Sequence, residues 1–168
     1  RTVGDPLEES TDIGPLARRD LRDELHDQVR RSLDAGARLH LGGELPDDPA
    51  TAYYAPTILT EVPTDSAAWT EELFGPVAAV VRAGSTNEAI ELANGSVYGL
   101  GAALYTADTD LGARLAAERI EAGTVFVNAP VASDPRLPFG GIKDSGFGRE
   151  LGPEGIAEFV NVKTVLIA

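Results

Sequence analysis

Two adjacent carboxylates and an aromatic ring precede a Gly-Pro corner near the middle of the chain. Glu71, Glu72 and Phe74 stand just before Gly75-Pro76, and an apolar run of strand length follows. A carboxylate held at such a corner can accept two hydrogen bonds from a vicinal diol such as a ribose, and a rigid Phe can press against a planar ring. The alternative is a solvated pair of acids beside a Phe of the core.

The long loop from Ala129 to Gly141 is a second candidate region. Its three prolines and its paired glycines predict a stiff, closely packed loop, and a mobile linker would not need Phe139. A strand predicted over Thr124–Asn128 leads into it, and ligands of open parallel sheets bind outside the carboxyl ends of strands. The loop either lines a site or is a turn with Phe139 as a buried plug.

Self-contained catalytic signatures are absent from the sequence. It has no Gly-x-Ser-x-Gly elbow, no Walker A motif and no His-Glu-x-x-His motif. The run Gly146-Phe147-Gly148 has the wrong spacing for a dinucleotide-binding fingerprint. His26 and His40 are isolated from each other and from acids at ligand spacing, so no metal site is predicted. The lack of cysteine excludes disulfides and a thiol nucleophile within these residues.

Composition and charge narrow the classes of partner. The chain has 168 residues, with 14 Lys or Arg and 27 Asp or Glu, and its net charge is −13. One domain of this length buries roughly 70% of the surface of its unfolded chain, so a core is expected. The acidic excess predicts neither a nucleic-acid nor a membrane-surface partner, and no apolar run reaches the ~20 residues that span a bilayer. Without cysteine or an export signal, the cytoplasm is the expected compartment.

One long helix is predicted ahead of the Glu71–Val77 segment. Leu21, Leu25, Val29 and Leu33 recur every four residues on one face, and Gly36 is a suitable residue to end the helix. The charged residues between them predict a solvated outer face with no preferred direction; they are Arg22, Asp23, Asp27, Arg30 and Arg31.

The later part of the chain predicts an α/β fold. Apolar runs indicate strands over Val77–Ala83, Gly101–Thr106 and Thr124–Asn128, and Ser85 and Asp108 are predicted N-caps of the two helices between them. Two successive right-handed crossovers place these strands parallel in one open sheet with flanking helices.

Three segments, in order, resemble the aldehyde dehydrogenase superfamily. They are Glu71–Val77, Asn94–Ala102 and Pro138–Glu150, and the similarity runs from Gly4 to the end of the chain. The resemblance implies the C-terminal part of the family's catalytic domain, without the dinucleotide-binding domain, the general-base Glu and the nucleophilic Cys. Because the chain begins at Arg1 and contains no Met, we expect a piece of a longer protein that is catalytically inactive alone.

The family's mechanism implies roles for four residues. In it, a Cys thiolate attacks the aldehyde, a hydride passes to the nicotinamide of NAD or NADP, and water hydrolyses the thioester. By resemblance, Glu72 binds the hydroxyls of the nicotinamide ribose and Phe74 lies beside the nicotinamide. Phe139 lines the aldehyde pocket, and Ser133 lies on the wall that selects the substrate.

Four further residues are given supporting roles by the same resemblance. Asn128, at the end of a predicted strand, and Glu150, after the glycine-rich turn, are implied to support the active centre. Lys143 and Arg149 are implied to anchor that turn.

The loop Val131–Phe139 resembles that of relatives that oxidise succinate semialdehyde. A hydroxyl at Ser133 can bind a substrate carboxylate, and Arg136 adds positive charge if it faces inward. The resemblance favours oxidation of this small aldehyde to the carboxylic acid. The alternative is a catalytically silent α/β module that serves as a structural or partner-binding fragment.

Residues 1–157 are expected to form the catalytic-domain part and residues 158–168 an oligomerisation strand. Phe159–Ile167 is apolar and β-branched, and an edge strand of this kind must be paired or covered. The resemblance implies that it joins a neighbouring subunit in a homo-oligomer. The alternative is an edge strand of the chain's own sheet.

Deletion of Asn161–Ala168 is expected to lower the oligomeric state of the parent enzyme, because the apolar segment that joins the subunits is lost. Light scattering on the deleted and undeleted proteins measures the change. An unchanged molar mass would contradict the prediction.

Overall fold

The computed structural model describes residues 1–168. They divide into two units, Arg1–Arg82 and Ala83–Ala168, each with its own helices and strands. None of the helices is long and apolar enough to cross a membrane.

The first unit contains two helices and a three-stranded sheet. In chain order its elements are α1 (Arg19–Asp34), β1 (Arg38–Leu41), β2 (Thr57–Thr60), α2 (Ala67–Thr70) and β3 (Val77–Val80). The strand order is β1-β2-β3, with β1 antiparallel and β3 parallel to β2. Parallel neighbours need a crossover connection, and α2 lies in the link between β2 and β3.

The predicted apolar face of α1 forms the core of the first unit. Leu25 and Val29 are buried and belong to one cluster with Tyr54 and Leu59. Gly36 follows the helix with a φ of 113°, a left-handed conformation that favours glycine. This confirms that the helix ends where the sequence indicates.

The predicted solvated face of α1 is wrong at Arg22, which is buried. Its guanidinium donates hydrogen bonds to the backbone oxygens of Pro49 (3.2 Å) and Thr51 (2.5 Å). A buried guanidinium is stable only where its donors find acceptors. Those acceptors lie on a later loop, which helical periodicity does not reveal.

Ser32 ties α1 to the start of α2. Its buried hydroxyl donates to the backbone oxygen of Gln28 (2.7 Å) and accepts from the backbone N–H of Ala68 (2.8 Å). The N–H groups of a helix's first turn have no partner within the helix, and the N-cap residue Ser66 makes no side-chain cap here. Ser32 therefore supplies from another helix the acceptor that a local cap usually provides.

The second unit contains three helices and four short strands. They are α3 (Thr86–Asn94), β4 (Tyr98–Gly99), β5 (Gly101–Leu104), α4 (Thr109–Glu118), β6 (Thr124–Val127), β7 (Ile142–Lys143) and α5 (Gly152–Ala157). β5 and β6 form a parallel pair, and β4 and β7 form an antiparallel pair.

Both predicted N-caps are confirmed. The hydroxyl of Ser85 accepts a hydrogen bond from the backbone N–H of Glu88 (3.2 Å), and the carboxylate of Asp108 accepts one from Leu111 (2.9 Å). Each bond satisfies an N–H group that would otherwise have no partner, so α3 and α4 begin where the sequence indicates.

The α/β class is confirmed, but the expected single parallel sheet is not formed. β5 and β6 are parallel with α4 between them, as predicted, whereas β3 pairs with β2 in the sheet of the first unit. An apolar run identifies a buried strand but does not specify its neighbour. The neighbour of β3 is instead the preceding strand β2, a pairing that the sequence pattern does not predict.

The predicted terminal strand over Phe159–Ile167 is also not formed. Residues 161–168 have no assigned secondary structure, and side chains such as Val162 and Ile167 are exposed. A strand exists only where a neighbour exchanges backbone hydrogen bonds with it. No such neighbour lies within this chain.

The substitution Ser32→Ala is expected to lower the free energy of unfolding by about 1–3 kcal/mol, because it leaves the N–H of Ala68 without an acceptor in a buried position. Urea denaturation measures the loss. Ser10→Ala is the matched control, since Ser10 is exposed. Equal stability of the two variants would contradict the assigned role of Ser32.

Candidate functional site

The segment after α2 presents Glu72 and Phe74 on the same side. Its first residue, Glu71, is extended (φ −115°, ψ 158°), and alternate residues of an extended chain point to opposite sides. Leu73 packs against the core, whereas Glu72 and Phe74 are exposed, Phe74 by 68%. The carboxylate of Glu72 and the ring of Phe74 are therefore both accessible from solvent.

Helix α1 supports both ends of this segment. At one end, the buried side chain of Gln28 donates from Nε2 to Oε2 of Glu71 (3.0 Å) and to the backbone oxygen of Glu72 (3.1 Å). At the other end, the Cα of Gly75 lies so close to Leu25 that a Cβ would overlap that side chain. The polar and the close-packed contact together fix the position of the residues between them.

The two neighbouring carboxylates differ in their partners. Arg31 donates to both oxygens of Glu71, at 2.7 and 2.8 Å, and Gln28 adds a third bond. The hydrogen bonds from Arg31 hold the pKa of Glu71 below its usual value. Glu72 has no side-chain partner, so its carboxylate is the one available to a ligand.

Glu72 and Phe74 line a concave surface that encloses about 420 Å³. The other lining residues are Glu71 and four residues of α1, namely Leu21, Glu24, Leu25 and Gln28. A free carboxylate has the lone pairs to accept both hydroxyls of a sugar diol, and an exposed ring can stack on a planar group. The residues present therefore fit the nicotinamide riboside part of a dinucleotide. The prediction that Glu72, not Glu71, contacts the ligand is consistent with this geometry but stays a prediction.

In the second unit, Asn128 fixes the point at which the Ala129–Gly141 loop leaves β6. Its backbone is left-handed (φ 57°), a conformation that Asn tolerates. Its side chain accepts from the N–H of Thr106 (2.8 Å) and donates to the oxygen of the same residue (2.9 Å). The amide thereby holds the end of β5 beside the end of β6.

The end of that loop is paired with the glycine-rich turn. Phe139 and Glu150 exchange two backbone hydrogen bonds, of 2.8 and 2.7 Å, and the ring of Phe139 is half-buried. Leu151 follows with an unusual backbone for a non-glycine residue (φ 61°, ψ 168°). The predicted pocket residue Phe139 and the predicted supporting residue Glu150 are thus brought together.

The predicted anchors of the turn are confirmed. Arg149 donates from one nitrogen to the backbone oxygens of Gly141 (3.0 Å) and Gly148 (2.6 Å). Lys143 donates to the oxygen of Asn94 (2.8 Å) and forms an ion pair with Glu121 (2.8 Å). Both cations satisfy carbonyl groups that no strand or helix partner reaches.

Ser133 is exposed and its hydroxyl has no hydrogen-bond partner in the chain. Arg136, in contrast, forms a bidentate ion pair with Asp134, at 2.9 and 2.6 Å, which holds the pKa of Asp134 below its usual value. The charge expected to face a substrate is therefore neutralised by a neighbour, whereas the Ser133 hydroxyl is free.

The residues that hold Glu71 are not evident from the sequence. Gln28 and Arg31 lie one turn apart on α1, and both reach Glu71 some 40 residues later. The charge pattern of α1 predicts a solvated position for Arg31. The signal that the sequence offers for Gln28 is its spacing, because residue 28 follows Leu25 by three positions and so lies near the apolar face of the helix.

The substitution Glu71→Gln is expected to lower the free energy of unfolding at neutral pH by about 1 kcal/mol, because a half-exposed charge pair is screened by solvent. Glu72→Gln, the matched control, removes no hydrogen bond and is expected to be neutral.

The effect of Glu71 should depend on pH. Its folded pKa lies below the unfolded value near 4.5, so the stabilisation is present above pH 4.5 and is lost as the pH falls through the folded pKa. Urea denaturation over this range measures the difference between wild type and Glu71→Gln. A difference that grows on acidification would contradict the assignment.

Comparison with known proteins supports one family throughout. A model of the aldehyde dehydrogenase family matches residues 1–165. A succinate semialdehyde dehydrogenase [NAD(P)+] of Escherichia coli is 52% identical over 163 residues, which are 97% of this chain and 35% of that protein. A probable succinate-semialdehyde dehydrogenase [NADP(+)] of Synechocystis is 50% identical over 166 residues, 99% of this chain and 36% of that protein.

Two solved structures are similar in fold. A succinic semialdehyde dehydrogenase from Streptococcus pyogenes in complex with NADP+ superposes with a TM-score of 0.93 at 40% identity, over 99% of this chain and 36% of that one. An aldehyde dehydrogenase of Mycobacterium tuberculosis complexed with NAD+ gives a TM-score of 0.93 at 37% identity, over 99% and 34%. The chain spans about a third of the length of the curated relatives it matches, and it belongs to the aldehyde dehydrogenase family.

Proposed function

We propose that this chain is the C-terminal part of the catalytic domain of an NAD(P)+-dependent aldehyde dehydrogenase that oxidises succinate semialdehyde to the dicarboxylate. The observation that carries the proposal is the free carboxylate of Glu72 beside the exposed ring of Phe74, next to a Glu71 that Arg31 neutralises. The names of the similar proteins support the substrate and both forms of the cofactor.

In the reaction, bound NAD(P)+ supplies the hydride acceptor. Glu72 accepts hydrogen bonds from the ribose hydroxyls, and Phe74 restricts the position of the nicotinamide ring. Neither side chain transfers a proton or forms a bond with the substrate. This chain has no cysteine, so the attacking thiolate comes from outside these residues and the isolated chain is expected to be inactive.

The second unit contributes the wall of the aldehyde pocket. Phe139 presents an apolar surface, and its backbone pairing with Glu150 holds that surface in place. Asn128 fixes the start of the same loop through Thr106. Ser133 donates a hydrogen bond to the distal carboxylate of the substrate, and its free hydroxyl supports this role better than the paired Arg136 does.

The C-terminal residues support a role in assembly. Val162, Leu166 and Ile167 are each at least 89% exposed, and no backbone group from 161 to 168 has a partner. Pairing with a neighbouring subunit satisfies both the apolar surface and the backbone groups. We therefore retain residues 158–168 as the oligomerisation strand of a homo-oligomer and residues 1–157 as the catalytic-domain part.

The parallel pair β5-β6 is expected to extend into a larger open sheet in the whole enzyme, because parallel strands are stable where neighbours and helices cover them. The cytoplasmic location and the lack of nucleic-acid or membrane partners remain predictions from the composition.

Replacement of Glu72 by Gln in the whole enzyme is expected to raise the KM for NAD(P)+ about tenfold, because hydrogen bonds to a charged acceptor are stronger than those to a neutral one. The KM for the aldehyde is expected to stay constant. Steady-state kinetics with each substrate varied in turn measures both values. Glu9→Gln, an exposed glutamate of the same unit, is the control, and equal KM values for the two variants would refute the role of Glu72.

The substitution Ser133→Ala is expected to lower kcat/KM for succinate semialdehyde about tenfold through loss of a hydrogen bond to a carboxylate. Butanal, which has the same carbon chain and no carboxylate, should be oxidised as efficiently as by the wild type. Initial rates with both aldehydes measure the ratio. A parallel change for the two substrates would show that Ser133 does not recognise the carboxylate.

A further inference from the structure

Gln28 of α1 contacts the segment Glu71–Phe74, which lies far from it in the sequence. Its side chain is buried, and its Nε2 reaches Oε2 of Glu71 at 3.0 Å and the backbone oxygen of Glu72 at 3.1 Å. Both hydrogens of the amide are used on one segment, more than 40 residues away along the chain. A buried polar group of this kind fixes geometry because each alternative leaves it unpaired.

Arg31 adds a second contact one turn further along α1. Its guanidinium donates to both oxygens of Glu71 and is itself held by Asp27 at 2.8 Å. A bidentate pair restricts rotation of the carboxylate as well as its distance. Glu71 is thus held by α1 through three hydrogen bonds, and it is the residue directly before Glu72.

The contacts that hold Glu71 also restrict Phe74, three residues later in the same segment. With Glu71 held at one end and Gly75 pressed against Leu25 at the other, the segment between them has little freedom. Leu73 packs against the core, whereas its two neighbours Glu72 and Phe74 are both exposed and line the same concave surface. The orientation of the two exposed side chains is set by the contacts of Glu71 and Gly75 with α1. Among the α1 residues that make these contacts, Leu25 and Gln28 also line the concave surface, whereas Arg31 does not.

We infer that Gln28 and Arg31 are positioning residues that hold Glu71–Phe74 in the conformation that presents Glu72 and Phe74 to the nicotinamide riboside. The inference rests on the proposed function, since it assumes that Glu72 and Phe74 contact the cofactor. It assigns to α1 a part in cofactor affinity that acts through the conformation of Glu71–Phe74.

The first test measures the segment without cofactor. The whole enzyme carries 4-fluorophenylalanine at position 74, and its fluorine NMR spectrum is recorded for wild type, Gln28→Leu and Arg31→Gln. We expect a single sharp resonance for wild type and a shifted or split resonance for both variants. Arg31→Gln changes an exposed side chain and should leave the core intact. It therefore provides the test even if Gln28→Leu, which changes a buried residue, fails to fold.

The matched control is Arg30→Gln. Arg30 neighbours Arg31, pairs with Asp27 and makes no contact with Glu71. The substitution Arg30→Gln removes the same charge from the same helix but leaves Glu71 held, so the fluorine resonance of residue 74 in this variant is expected to match that of wild type. Arg31→Lys, which retains the charge without the bidentate geometry, is expected to give an intermediate spectrum.

The second test measures the Kd for NAD(P)+ by calorimetry, together with kcat and the KM for the aldehyde. We expect Gln28→Leu and Arg31→Gln to raise the Kd about tenfold, as the loss of one to two hydrogen bonds predicts. The aldehyde KM and the affinity of Arg30→Gln should stay constant. A merely structural defect would change all of these values together.

The outcomes separate the two proposals. A resonance of Phe74 that stays unshifted in both variants overturns the positioning role, whatever the cofactor affinity. If the resonance shifts while neither these variants nor Glu72→Gln change the Kd, the positioning role stands and the proposed cofactor contact of Glu72 fails.

Discussion

The first unit depends on the packing of one helix, α1, against the segment that follows α2. The helix supplies the apolar core through Leu25 and Val29 and completes the first turn of α2 through Ser32. The same helix holds Glu71 through Gln28 and Arg31. The stability of the unit and the position of Glu71 therefore depend on the same helix, through its core residues Leu25 and Val29 and its polar residues Gln28, Arg31 and Ser32.

The ion pair between Arg31 and Glu71 lowers the local negative charge of a strongly acidic chain. The chain has a net charge of −13, yet the proposed ligand carries phosphates. Two adjacent free carboxylates would add to the repulsion and would compete for the same donors. Because Arg31 neutralises Glu71, Glu72 and Glu24 are the two carboxylates of the concave surface that have no ion-pair partner.

The sequence predicts local structure well where the signal is local. The α1 face, the cap residues Ser85 and Asp108, and the parallel β5-β6 unit follow from spacing and from hydrogen-bonding groups within a few residues. The pairing of β3 with β2 does not follow from local spacing, because an apolar strand can pair with several neighbours. The terminal strand is not formed in this chain, because no backbone group of residues 161–168 has a hydrogen-bond partner there.

The candidate site follows the same division. Glu72, Phe74, Ser133 and Phe139 were identified by motif, but the motif does not say which of two acids is free or which of two polar loop residues is paired. The first answer depends on the long-range contact of Arg31 with Glu71, and the second on the side-chain geometry of Arg136 and Asp134, two residues apart. Since Ser133 makes no hydrogen bond within the chain, replacing it costs the fold little. On the role proposed for Ser133, a change of side chain at this position alters the substrate range at little cost in stability, and the backbone pairing of Phe139 with Glu150 does not depend on it.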